Sequence, residues 1–127
     1  LIQNESRKFI CKNVSVRIEN TSTPYTLNCE KKRVLKIPIA HHHGSYYTDS
    51  FSLKNLEDKG QILFRYCDIS GNVSADSNPN GSVGSVAGVT NEQKNVMGMM
   101  PHPERCADPQ LTGTDGQLIF KSLIANC

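Results

Sequence analysis

Three observations predict an α/β chain that is rich in strands and closed by a helix. Short runs alternate apolar and polar residues, a long Gly-, Asn-, Ser- and Asp-rich stretch separates two groups of them, and one amphipathic segment ends the chain. The balance has the look of the second half of an α/β domain. At 127 residues and 37% hydrophobic content, the chain is one domain or a piece of a larger one, with enough apolar residues for a modest core.

The elements follow in order. Phe9-Ile10-Cys11 and Val14-Ser15-Val16-Arg17-Ile18 alternate as half-buried strands do, and residues 20–24 form a polar turn. The run Val34-Leu35-Lys36-Ile37-Pro38-Ile39-Ala40 is more continuously apolar and reads as a more central strand. Its proline must then sit near the strand end, where no ladder donor is needed. Phe51 to Gly60 is a short helix, with Leu53 and Leu56 at helical spacing and Gly60 as its stop. Residues 61–67 form a strand, and residues 68–85 a hairpin-like excursion of turn chemistry around Asn78-Pro79-Asn80-Gly81-Ser82. Val86–Val89 and Asn95–Met100 are short strands joined by the polar turn 90–94. A helix from about Thr114 to Ala125 carries Leu118, Ile119, Leu123 and Ile124 as its stripe, with Thr112 and Asp115 resembling a cap and an acidic first turn.

Bulk properties exclude several classes. Fourteen basic and twelve acidic residues give a net charge of +2, far from the dense basic stripe of a nucleic-acid binder. A mean hydropathy of −0.43 fits a soluble protein. No apolar run approaches the roughly 20 residues that span a bilayer. The chain begins with Leu1, without a basic flank or apolar leader, and runs straight into patterned sequence, so an upstream portion is expected.

The five cysteines, Cys11, Cys29, Cys67, Cys106 and Cys127, show no C-x-x-C spacing, and reduced structural thiols in a cytosolic protein are the plain reading. A rival reading is a secreted, disulfide-bearing glycoprotein, because Asn-x-Ser/Thr sequons start at Asn4, Asn13, Asn20, Asn72 and Asn80. Asn13, however, lies inside a strand pattern.

Two constellations could carry chemistry. Gly98-Met99-Met100-Pro101-His102-Pro103-Glu104-Arg105 places a histidine and a carboxylate two residues apart, between prolines, where a strand ends. Histidine suits proton transfer near neutral pH, and a carboxylate on its other ring nitrogen fixes the tautomer and stabilises the imidazolium. That is the base and orienter of a triad without its nucleophile. The plainer alternative is a proline-bounded loop whose His and Glu face water. The second constellation, His41-His42-His43-Gly44, follows an apolar strand, where open α/β sheets bind ligands. Side chains alternate in an extended chain, so at most His41 and His43 converge, and no third metal ligand has suitable spacing. No metal site is expected. No cysteine lies in a Gly-x-Cys-x-Gly elbow.

Taken in order, Ile37-Pro38-Ile39-Ala40-His41, Tyr46-Tyr47, Phe64-Arg65-Tyr66, Asn78-Pro79-Asn80-Gly81-Ser82, Val86-Ala87-Gly88-Val89-Thr90-Asn91 and Gly98 to Arg105 resemble the glutamine amidotransferase subunits of phosphoribosylformylglycinamidine synthase. Thr114-Asp115-Gly116 before the last helix also fits, and the resemblance covers nearly the whole chain.

The resemblance implies a three-layer, flavodoxin-like class I glutamine amidotransferase domain with a mostly parallel sheet. This chain would be its strand-rich C-terminal half, residues 1–127, with the nucleophile elbow in a preceding N-terminal part. It implies that a cysteine outside this chain attacks glutamine, that His102 moves the proton, and that Glu104 orients His102. Released ammonia would reach an ATP-dependent synthetase subunit in purine biosynthesis, in a complex that in this family can include a small helper subunit. ATP and magnesium would belong to that partner, with no cofactor in this chain, and the location would be the cytoplasm. The fragment alone would be inactive. The relatives' His-Gly-Glu-Gly loop reads His41-His42-His43-Gly44 here, so His41 and Gly44 carry over as a loop near the site mouth and the partner, while the acidic group does not. The runner-up is a non-catalytic domain that keeps the fold and the partner-binding face.

Overall fold

The structure, a computed structural model, describes residues 1–126; Cys127 lies outside the described residues. Five strands form one sheet: β1 (Ile10–Ile18), β2 (Val34–His41), β3 (Ile62–Cys67), β4 (Val86–Thr90) and β5 (Met97–Met99). Helix α1 (Ser50–Asp58) lies between β2 and β3, and α2 (Gln117–Ala125) ends the described chain. The spatial order is β2-β1-β3-β4-β5.

Every neighbouring pair among the described residues is antiparallel. The mostly parallel sheet implied by the resemblance is therefore not seen within this chain. Parallel neighbours need a crossover between them. Here β2 and β3 run in the same direction and are linked through α1, but β1 lies between them and pairs antiparallel with both.

The two N-terminal runs form a single strand, β1, and its pairing with β2 is continuous from Ile10↔His41 to Arg17↔Val34. The expectation that β2 is central is corrected within this chain: in its five-stranded sheet β2 is an edge strand. Its side chains alternate, with Leu35, Ile37, Ile39 and His41 buried and Lys36 exposed. Pro38 lies mid-strand, not near the end. Its carbonyl points outward, where it accepts from the His102 amide at 2.8 Å. The proline nitrogen therefore faces the same outer edge, and the β1 ladder loses no donor.

The core side of the sheet joins Val14, Val16 and Ile18 of β1 to Leu35, Ile37 and Ile39 of β2 and Phe64 and Tyr66 of β3; Cys106 and Ile119 close over them. Asp49 caps α1 by accepting from the Ser52 amide at 2.9 Å, and Gly60 takes φ +62° just past the helix end. Residues 68–82 form turns instead of a hairpin, organised by Asp68, whose carboxylate accepts from the amides of Ser70 and Asn72.

Helix α2 begins at Gln117, later than expected, and no side chain caps it. Thr112 and Asp115 do other work. The Thr112 hydroxyl donates to the Arg105 carbonyl, and Asp115 accepts from the Lys36 amide at 2.7 Å on the outer edge of β2. Ile119 and Ser122 are the buried positions of α2, while Ile124, read as part of its stripe, is 77% exposed.

Candidate active site

β5 delivers the chain to Pro101, after which His102 precedes a 3-10 turn over Pro103–Cys106. Pro103 suits the first position of that turn because its missing N–H would be an orphan there. Glu104 lies within that turn, and His102 Nδ1 donates to Glu104 Oε1 at 2.8 Å. With Nδ1 committed as donor to the carboxylate, Nε2 is left to take or give a proton. The His102 side chain is 31% exposed and Glu104 56%. Arg105 Nε lies 3.7 Å from the same Glu104 oxygen.

Two contacts hold this turn in place. The His102 amide is tied to Pro38 on β2, as described above. Gly116 packs against the other side: a Cβ there would run into the Pro103 carbonyl oxygen, and the Gly116 amide donates to the Cys106 carbonyl at 3.0 Å.

The second constellation is nearby, because β2 that anchors His102 also ends in His41. His41 is buried, at 7% exposure. Its Nδ1 is 2.9 Å from Asn4 Oδ1, and its Nε2 is 3.4 Å from Asn80 Nδ2. Burial, and then the charge of His102, push the His41 pKa below its ordinary value. Gly44 lies over the imidazole, so close that a Cβ would clash with Nδ1.

The convergence of His41 with His43, the most that an extended chain would allow, is not observed. His41 turns into the protein, and His42 and His43 meet instead, Nδ1 to Nδ1 at 3.1 Å on the surface. The strand ends at His41, so the alternation that would pair His41 with His43 stops there. Among the described residues no group of three His, Cys, Asp or Glu side chains could hold a metal ion.

Sequence reasoning missed Asn4 and Asn80 as site-building residues. Asn80 was legible as a turn residue, a sequon and part of a family-like motif, and Asn4 only as a sequon, none of which marks a partner of His41. Both are 1% exposed, so neither is an accessible glycan acceptor in this fold. Cys11, Cys29, Cys67 and Cys106 are all free thiols. Burial raises the pKa of Cys29 and Cys106 and pushes Cys67 up to about 11, so none of these three is an activated thiolate. Among the described residues no helix is long and apolar enough to cross a membrane.

The fold that carries this pair is that of a known family. The family model described as the CobB/CobQ-like glutamine amidotransferase domain matches residues 1–115, and the chain belongs to that family. Among curated relatives, it is 50% identical over 124 residues to the phosphoribosylformylglycinamidine synthase subunit PurQ of Acaryochloris marina, covering 98% of this chain and 53% of that protein. It is 48% identical over 126 residues to the PurQ subunit of Aquifex aeolicus, covering 99% and 56%. The solved structure of PurLQS from Thermotoga maritima superposes with a TM-score of 0.81 at 38% identity, over 98% of this chain and 51% of that one. The chain therefore spans about half the length of the relatives it matches.

Proposed function

We propose that this chain supplies the acid–base half of a glutaminase site, the ammonia-producing component of phosphoribosylformylglycinamidine synthase in purine biosynthesis. The observation that carries the reading is the 2.8 Å contact of His102 Nδ1 with Glu104 Oε1 at a strand end, in a chain about half identical to PurQ subunits.

In this reading residues 1–127 are the C-terminal part of one amidotransferase domain, and the nucleophilic cysteine sits on an elbow in the preceding part. His102 Nε2 receives the thiol proton as sulfur attacks the glutamine carboxamide, then returns it to the departing ammonia. Glu104 holds the ring in the Nδ1–H tautomer and stabilises the imidazolium. His41 and Gly44 shape a loop at the mouth of the site, towards the synthetase subunit. Ammonia passes to that subunit, which holds ATP and magnesium; this chain needs no cofactor of its own. The reaction takes place in the cytoplasm. Neither nucleic acid nor membrane is a partner.

The test is His102→Ala in the complete protein, assayed with glutamine and with ammonia as nitrogen source. Glutamine-dependent synthesis should be lost by about 10³-fold or more while ammonia-dependent synthesis persists. Unaltered glutamine-dependent synthesis would overturn the assignment and leave a non-catalytic, partner-binding domain.

A further inference from the structure

We propose that Asn4 and Asn80 form a clamp that holds His41 as the neutral, Nδ1-protonated imidazole, making it a positioning residue that keeps a second positive charge away from His102. The inference rests on the glutaminase reading for its consequence, but not for its geometry.

Backbone groups settle the orientation of both amides. Asn4 Nδ2 donates to the carbonyls of Lys8 and His41, each at 2.9 Å, so its Oδ1 faces the other way. That oxygen accepts from the Gly44 amide at 3.1 Å and lies 2.9 Å from His41 Nδ1, which must therefore carry the proton. Asn80 Oδ1 accepts from the Ser82 amide at 3.1 Å and the Ser82 hydroxyl at 2.7 Å. Its Nδ2 therefore faces inward, donating to the Gly44 carbonyl at 2.9 Å and towards His41 Nε2 at 3.4 Å. Nδ2 also donates to the Tyr66 hydroxyl at 3.3 Å, and an amide nitrogen cannot accept, so an Nε2–H facing it would find no acceptor there and Nε2 is left unprotonated. The two amides together admit one tautomer and disfavour the imidazolium.

The same contacts fix residues 41–44, since Asn4 and Asn80 grip both backbone groups of Gly44 and Gly44 lies on the ring. The titratable neighbours of His41 are His102, which acts on it through its charge, and the Tyr66 hydroxyl, 3.3 Å from Asn80 Nδ2. Glu5 follows Asn4 on the N-terminal segment, and His42 follows His41 on the loop. No carboxylate is hydrogen-bonded to His41 among the described residues, so nothing there compensates a buried imidazolium.

Nitrogen-15 NMR of the imidazoles in the complete protein tests the clamp directly. His41 should show the Nδ1–H tautomer and stay neutral below pH about 6.5, where an ordinary imidazole protonates. An Nε2–H tautomer, or ordinary titration, would overturn the proposal. The functional consequence is read in Asn4→Asp, which puts a carboxylate against Nδ1 and raises the pH at which His41 protonates. Glutaminase kcat should then gain an acid limb at the His41 midpoint, about tenfold per pH unit, with KM changed little. If His41 becomes charged and kcat ignores it, the positioning role is wrong. A wild type without glutaminase activity that still shows the neutral tautomer would sink the functional reading and leave the clamp standing. Should Asn4→Asp fail to fold, Asn80→Asp makes the same measurement from the Nε2 side, and the wild-type tautomer decides the clamp in either case.

Discussion

The backbone amide of His102 donates to the carbonyl of Pro38 at 2.8 Å. A proline that cannot contribute to a ladder through its nitrogen thus contributes through its oxygen, on the open edge of β2. That bond joins the loop carrying His102 and Glu104 to the strand carrying His41. The Lys36 amide on the same edge is occupied by Asp115. The edge is therefore covered at two points by the segment that builds the site, which also shields it from pairing with another chain.

Glu104→Gln keeps an oxygen that can accept from His102 Nδ1 but removes the charge. If Glu104 stabilises the imidazolium, glutaminase kcat in the complete protein should fall by about 10²- to 10⁴-fold, with ammonia-dependent synthesis retained. Steady-state assays with the two nitrogen sources check this, and a variant with wild-type kcat would remove Glu104 from the mechanism.

Gly116→Ala should destabilise the fold by about 1–3 kcal/mol, because the new methyl group meets the backbone of Pro103 and not a side chain that can swing aside. Urea denaturation measures the loss. The same substitution should disturb the His102–Glu104 contact, since Pro103 lies between them.

Gly44→Ala drives a methyl group into the His41 ring, so the 41–44 loop must move or the imidazole must leave its place between Asn4 and Asn80. Expected are a stability loss of about 1–3 kcal/mol and a His41 imidazole that has lost its fixed tautomer, read by NMR. A variant as stable as wild type with His41 unchanged would contradict the packing described.

Stability should fall on the acid side. Burial, then the charge of His102, hold the folded His41 pKa below the ordinary 6.5. The unfolded chain then binds the proton more readily, so the contribution of this group is complete above pH about 6.5 and is lost as pH falls through the folded value. Urea midpoints across pH 5 to 8 check the sign, and stability rising towards acid through that window would refute it.

Thiol reactivity should rank with burial. Cys11 is exposed and should be alkylated in the folded chain, whereas Cys67 and Cys106 should react only on unfolding. Peptide mapping after brief alkylation distinguishes them; equal labelling of Cys106 and Cys11 would show that the turn over α2 opens readily.

Local pattern by itself determined the strand segments and brought His102 and Glu104 into view as a pair, beside the plainer alternative of a loop facing water. Period-two alternation marks one buried face, as at Val14, Val16 and Ile18. A proline between His and Glu leaves the backbone few conformations, so their meeting is nearly a local property. What only the tertiary structure decided are relationships across long stretches of chain. The edge position of β2, and hence the tolerance of Pro38, depends on which strand lies beside it, and apolar content alone misplaced it. The Asn4–His41 and Asn80–His41 contacts join residues 37 and 39 positions apart. Asparagine is equally at home in an exposed turn, so its sequence context carries no sign of burial. Burying these amides is tolerable only because every donor and acceptor finds a partner, and that accounting exists only once the chain has folded.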